Sequence, residues 1–236
     1  MLRNLSPIPA PDARTDTLVF DLDGTLVDSL PDLAAALNRL LAADARPALP
    51  PERIRTMVGD GVAKLVERGL AATGAVPGAA AFATLLARFH ADYAPRAAEL
   101  TRPYPGVAEL LPRLAGAGWR LALCTNKPQA ATLHILQALG LAGSIGTVAG
   151  GDRFGLHKPD PRHLTLAVAA AGSTPDRAIM IGDGPQDLAA ARGAGMRAIA
   201  ALYGYGSERI EAADLDGIPC LERFGDLPAA LQSAMQ

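Results

Sequence analysis

The chain has little of what marks most specialised protein classes. Only 4% of its 236 residues are aromatic, so a core has to be built from Ala, Leu, Val and Ile. Two cysteines, Cys124 and Cys220, are too few for a disulfide scaffold and fit a reducing, cytoplasmic setting. Neither charge dominates: 22 Lys and Arg stand against 24 Asp and Glu, a net charge of −2. That balance excludes the basic face of a nucleic-acid binder. No apolar run approaches the roughly 18 residues needed to cross a bilayer, so no membrane partner is expected. Met1 to Asp16 carries Pro7, Pro9 and Pro11 and lacks the apolar centre of a secretory signal. It reads as a loose leader over residues 1–16. Nothing in the composition speaks to oligomeric state.

What is present is a hydrophobic half of the sequence, enough for one large domain or a domain with a smaller insert. The informative stretch is Leu18-Val19-Phe20-Asp21-Leu22-Asp23-Gly24-Thr25-Leu26-Val27-Asp28-Ser29. Leu18 to Leu22 is a short apolar run that suits a strand buried on both faces. Asp21 and Asp23, two apart, fall on one side of the pleat where that strand ends. Gly24 lets the backbone turn. Two converging carboxylates repel unless a cation lies between them, and a hard divalent ion suits such oxygen ligands.

Ser29 is a candidate N-cap for a helix with Pro31 and Asp32 in its first turn. Leu33, Leu37, Leu40 and Leu41 follow at helical spacing, then Val62, Leu65, Val66, Gly69 and Leu70, then Phe82, Leu86, Phe89 and Tyr93. Residues 30–100 therefore read as helical, and Pro103 and Pro105 mark the way back. From Val107 onward strands alternate with helices. The expected strands are Trp119 to Cys124, Thr147 to Ala149, Ala178 to Ile181 and Arg197 to Ala200. Alternation of this kind calls for a parallel sheet with right-handed crossovers. The fold class expected is α/β, a three-layer Rossmann-like core of residues 17–29 and 101–236 with a small all-helical unit, 30–100, inserted after the first strand.

In open parallel sheets ligands bind beyond the carboxyl ends of the strands. Asp21 and Asp23, Thr125 and Asn126, and Asp183 and Asp187 each follow an apolar strand, and Lys158 leads into a helix from the same edge. Carboxylates, a hydroxyl, amides and a lysine suit a phosphate held by donors while a metal offsets charge, with one carboxylate free to act as nucleophile.

The blocks DLDGTLVDS, CTNK, HKPDP and GDGPQD, in that order between Asp21 and Asp187, resemble the haloacid dehalogenase superfamily of phosphotransferases. The helical stretch resembles its cap, and Val58 to Leu70 and Tyr203-Gly204-Tyr205-Gly206 are similar to segments of phosphoglycolate phosphatases. The resemblance implies a magnesium-dependent phosphatase acting on a small phosphate monoester, 2-phosphoglycolate above others. Asp21 would attack phosphorus, and Asp23 would serve as general acid and then base. Asp21, the carbonyl of Asp23, and Asp183 would hold magnesium with Asp187 in support. Thr125 and Asn126 would bind phosphoryl oxygens, and Lys158 would neutralise charge. The family usually has Ser where this chain has Gly184.

In the helical unit Gly59 and Gly61 allow close backbone approach to a substrate. Lys64 and Arg68, four apart, either aim two cations at a substrate carboxylate or form a solvated face with Asp60 and Glu67. His90, His134, His157 and His163 lack metal-ligand spacing and read as structural. Competing functions are a pyrophosphatase, a sugar-phosphate phosphatase or a mutase on the same scaffold. A dehalogenase has no use for Asp23. A dinucleotide-binding module would want glycine, not Asp187, beside its pyrophosphate.

Overall fold

The computed structural model describes residues 7–235. β1 (Thr17–Phe20) is followed by the two-residue β2 (Val27–Asp28), α1 (Leu30–Ala43), α2 (Pro51–Arg55), α3 (Val62–Thr73) and α4 (Ala79–Tyr93). β3 (Arg102–Pro103) pairs antiparallel with β2, so the helical stretch leaves and returns through one short ribbon. Then come α5 (Val107–Gly116), β4 (Arg120–Cys124), α6 (Gln129–Ala138), β5 (Thr147–Ala149) and α7 (Pro161–Ala170). The chain closes with β6 (Ala178–Gly182), α8 (Pro185–Gly193), β7 (Arg197–Ala201), β8 (Cys220–Leu221) and α9 (Leu227–Ala234).

Among the described residues the main sheet is parallel and ordered β5-β4-β1-β6-β7-β8. Its strands are apolar on both faces because both faces are covered. Leu18, Phe20, Leu121, Leu123, Ile179 and Ile181 point to the side of α5, α6 and α9. Val19, Ala122, Cys124 and Met180 point the other way, onto Leu164, Ala167 and Val168 of α7 and Ala190 and Ala191 of α8. The second face is lined with small side chains, which is how a chain poor in aromatics fills its interior at close packing. β1 lies at the centre. The chain builds β4 and β5 to one side of it and β6 to β8 to the other. The ends of β1, β4 and β6 therefore meet at the point where strand order reverses, the place where such sheets bind ligands.

Between β2 and β3 the helices pack on one another, α1 against α2, α3 and α4. Gly69 is the contact point of α3 with α1: a methyl there would come within 2.7 Å of the Leu37 side chain. Asp32, in the first turn of α1, accepts from the N–H groups of Leu100 (3.0 Å) and Thr101 (2.8 Å) and from the Thr101 hydroxyl (2.7 Å). The start and end of the stretch are thereby pinned together.

Two expectations are corrected. Residues 1–6 lie outside the described residues, but from Pro9 the supposed leader is fixed. The Trp119 indole donates to the Pro9 carbonyl at 2.8 Å. Buried Asp16 accepts from Arg120, Arg177, Ser173 and Thr17 at the foot of the sheet. Ser29 stands at the N-cap of α1 without capping it by its side chain. Its hydroxyl is used at the sheet edge instead. No helix among the described residues is long and apolar enough to cross a membrane.

Candidate active site

The loops after β1, β4 and β6 converge above the sheet. Asp21 follows β1 directly and is fixed by its own main chain, whose N–H donates to the Ile181 carbonyl at 2.9 Å. Its side chain is 7% exposed, and Lys158 Nζ lies 2.9 Å from Oδ1. The same ammonium sits 2.6 Å from Asp187 Oδ1, both side chains being fully buried. Burial works against the Lys158 charge, but Asp187 and Asp21 outweigh it and raise its pKa. Burial also pushes Asp21 up to about 6, with Lys158 opposing and Asp187 adding. It drives Asp183 well above the usual carboxylate range, Asp187 and Asp21 adding to the effect.

Ligand oxygens of Asp21, Asp183 and Asp187 all lie within 4.8 Å of one another. Asp183 is oriented by the Gly206 N–H (2.7 Å to Oδ2) and the Thr25 hydroxyl (3.2 Å to Oδ1). Asp187 accepts from the Gly184 N–H at 2.9 Å, so the serine absent at 184 leaves the acid held by main chain. At this edge four carboxylates, those of Asp21, Asp183 and Asp187 in the buried cluster and that of Asp23 beside it, face two ammoniums, Lys127 and Lys158. The excess of two negative charges is the charge of one divalent cation, and an all-oxygen donor set suits a hard one. The residues fit magnesium.

Asp23 points away from this cluster. Its Oδ1 accepts from Ser29 Oγ at 2.5 Å, and Ser29 is in turn 3.1 Å from the Tyr205 hydroxyl. Lys127 Nζ donates to both carboxylate oxygens of Asp23, at 2.8 and 3.1 Å. Lys127 is buried with its ammonium 4.9 Å from the centre of the Tyr93 ring, at the end of α4.

A small space of about 30 Å³ lies over Asp21 and Asp23, bounded on the sheet side by Thr125, Asn126 and Lys127. Its roof is Leu33 of α1, Val62 and Leu65 of α3, and Val58, Gly59 and Gly61 of the loop before α3. Gly59 and Gly61 have φ of +121° and +88°, values that a side chain would strain. Thr125 faces this space. The Asn126 carboxamide is committed elsewhere: Nδ2 donates to the carbonyls of Gly59 (3.1 Å) and Lys158 (2.9 Å), and Oδ1 accepts from Lys158 N–H (2.8 Å). That side chain ties three loops together. Lys64 and Arg68 stand apart from the roof. Lys64 is exposed and pairs with Glu67 at 2.7 Å; Arg68 donates to the Met57 carbonyl (2.8 Å) and Asp60 (2.5 Å). Both cations are thus engaged by neighbouring acids, and neither lines the space over Asp21.

Residues 15–195 match the family model for haloacid dehalogenase-like hydrolases. The chain belongs to that family. It is 42% identical over 219 residues to a phosphoglycolate phosphatase of Caulobacter vibrioides, covering 93% of this chain and 92% of the relative. It is also 42% identical to one of Rhodospirillum rubrum over 89% of this chain and 88% of that one. Among solved structures it resembles a predicted phosphoglycolate phosphatase from Haemophilus somnus 129pt with a TM-score of 0.84 and 29% identity, covering 93% of this chain and 99% of that one. CbbY from Rhodobacter sphaeroides, solved in complex with phosphate, matches at TM-score 0.79 and 26% identity over 92% and 99% of the two chains.

Within this haloacid dehalogenase-like site, sequence reasoning missed Lys127, Ser29 and Tyr205. Lys127 was visible as the residue after Thr125-Asn126 at a strand end, a position from which a side chain reaches the same edge. Ser29 and Tyr205 are 176 residues apart, and no local pattern connects them.

Proposed function

We propose that the chain is a magnesium-dependent phosphatase that hydrolyses 2-phosphoglycolate to glycolate and phosphate through a phosphorylated Asp21, with residues 30–100 serving as its cap. The observation that carries this reading is the pairing of a buried, lysine-bound Asp21 with a second, separately held carboxylate, Asp23, beneath a roof that leaves only about 30 Å³. A space this small suits a small leaving group.

Each residue has a role that follows from its placement. Asp21 attacks phosphorus, its oxygen–phosphorus bond forming as the bond to the glycolate oxygen breaks. Asp23 gives that oxygen its proton. Asp23 then takes a proton from the water that attacks the phosphorylated Asp21, and carboxylate and phosphate are released. Ser29 and Tyr205 keep Asp23 aimed while it changes protonation. Thr125 donates to the phosphoryl group. Lys158 holds the Asp21 carboxylate in line and counters its charge. Asp21, Asp183 and Asp187, with the Asp23 carbonyl, are the set that would hold magnesium. When bound it supplies positive charge against the phosphoryl oxygens.

A phosphate-release assay with magnesium, comparing 2-phosphoglycolate with pyrophosphate and hexose phosphates, tests the reading. The expected result is the highest kcat/KM for 2-phosphoglycolate. A preference for pyrophosphate or a hexose phosphate overturns it.

A further inference from the structure

The roof over Asp21 is apolar where it comes from Leu33, Val62 and Leu65. A carboxylate brought against such walls needs a charged partner. Lys64 and Arg68, on the helix that follows Gly61, are held away by Glu67 and Asp60, and Arg55, at the end of α2, pairs with Glu208 at 3.0 Å. Arg209 is drawn to Asp60 and Gln186, each at 3.5 Å. Lys158 is locked between Asp21 and Asp187. Among the described residues, one cation lines the space itself, and it is Lys127.

We propose that Lys127 is the specificity-determining cation of this site, the group that receives the carboxylate of the leaving glycolate. The proposal rests on the 2-phosphoglycolate reading and adds to it the residue that selects the substrate. An ammonium has three N–H donors, and Asp23 accepts at two distances, 2.8 and 3.1 Å, on one side of it. The Tyr93 ring backs it at 4.9 Å. In 2-phosphoglycolate the carboxylate carbon is two bonds from the oxygen that Asp23 protonates. A cation that reads this carboxylate therefore has to be a direct neighbour of Asp23. Lys127 meets that condition, and its 1% side-chain exposure keeps water from competing for the contact.

The test separates charge recognition from mere support of Asp23. Two phosphonates are titrated against the magnesium-loaded enzyme as competitive inhibitors: 3-phosphonopropionate, which carries the carboxylate, and propylphosphonate, which has a methyl in its place. The wild type is expected to bind the first about 10- to 150-fold more tightly, the range of a hydrogen bond to a charged group. Lys127→Met removes that preference and Lys127→Arg retains part of it. If Lys127→Met weakens both phosphonates by the same factor, the preference surviving, Lys127 only positions Asp23 and the inference fails while the 2-phosphoglycolate reading stands. If the wild type itself does not distinguish the two, both fall. Should Lys127→Met not fold, Lys127→Gln keeps a donor for Asp23 without the charge and is read in the same way.

Discussion

Asp183 occupies the space that a side chain on Gly24 would need: a Cβ built there would lie 2.0 Å from Asp183 Oδ2. Gly24 also has φ of +85°, a conformation that other residues adopt at a cost of roughly 1 kcal/mol or more. Glycine in this turn therefore serves the acid that follows β6 as much as the turn itself. Gly24→Ala is expected to displace Asp183 and to lower magnesium affinity about 10- to 100-fold, the usual effect of disturbing a group that orients a metal ligand. Calorimetric titration of magnesium checks this, and unchanged affinity would remove Asp183 from the set.

The nucleophile and the acid should respond differently to loss of charge. Asp21→Asn keeps the shape and removes the attacking oxygen anion, so turnover should vanish while the melting curve stays cooperative. Asp23→Asn should slow turnover by the roughly 100- to 10,000-fold typical of a lost acid–base group. Steady-state kinetics of the two purified variants decide it, and Asp21→Asn turning over near the parent rate would remove the covalent route.

Lys64 and Arg68 should matter little to substrate choice. Lys64 is 56% exposed in its pair with Glu67, an arrangement worth at most about 1 kcal/mol. Arg68 fastens the loop before α3 through Met57 and Asp60. Lys64→Ala should leave the KM for 2-phosphoglycolate within about twofold of the parent. Arg68→Ala should lower the melting temperature and should not change the ratio of KM for 2-phosphoglycolate to that for an uncharged aryl phosphate. A selective rise in the 2-phosphoglycolate KM in either variant would return the carboxylate contact to α3.

The core was legible because its signals are local. Strand β5, Thr147–Ala149, has the bounds expected of it, and β6 differs from expectation only by Gly182. Each is a short run bounded by turn residues; β6 is buried along its whole length, and β5, at the sheet edge, is buried only at Ala149. Asp21, Asp183 and Lys158 meet because each ends or follows one of these segments at the same sheet edge. What stayed hidden depends on distant partners. Ser29 has the sequence context of a helix cap, yet Asp23 and Tyr205 compete successfully for its hydroxyl. Asp32 has the context of a dipole-favouring acid and is used to bind Thr101. β8 is two residues long, too short to carry a period.

Burial of the acids predicts how metal and pH act together. Asp21 is raised to about 6 and Asp183 well above its ordinary value of 3.8. Without a cation the folded state keeps protons that the unfolded chain has lost. Their contribution to stability is thus full below about pH 4, and that of Asp21 is lost as pH rises through about 6. Magnesium held by the ionised carboxylates would restore it. The rise in melting temperature on adding magnesium should therefore grow between pH 4.5 and 7, shifts of Asp16 and other distant groups cancelling between the two arms. A magnesium effect independent of pH would contradict this.

The central claim is that Asp21 carries the phosphoryl group during turnover of 2-phosphoglycolate. It is tested most directly by mixing enzyme, magnesium and 2-phosphoglycolate, quenching with acid within the first turnovers and mapping the peptides by mass. The account predicts one added phosphoryl group on the peptide containing Asp21, absent from Asp21→Asn and from samples without magnesium. Steady release of phosphate with no phosphoryl group on that peptide, continuing in Asp21→Asn, would contradict it.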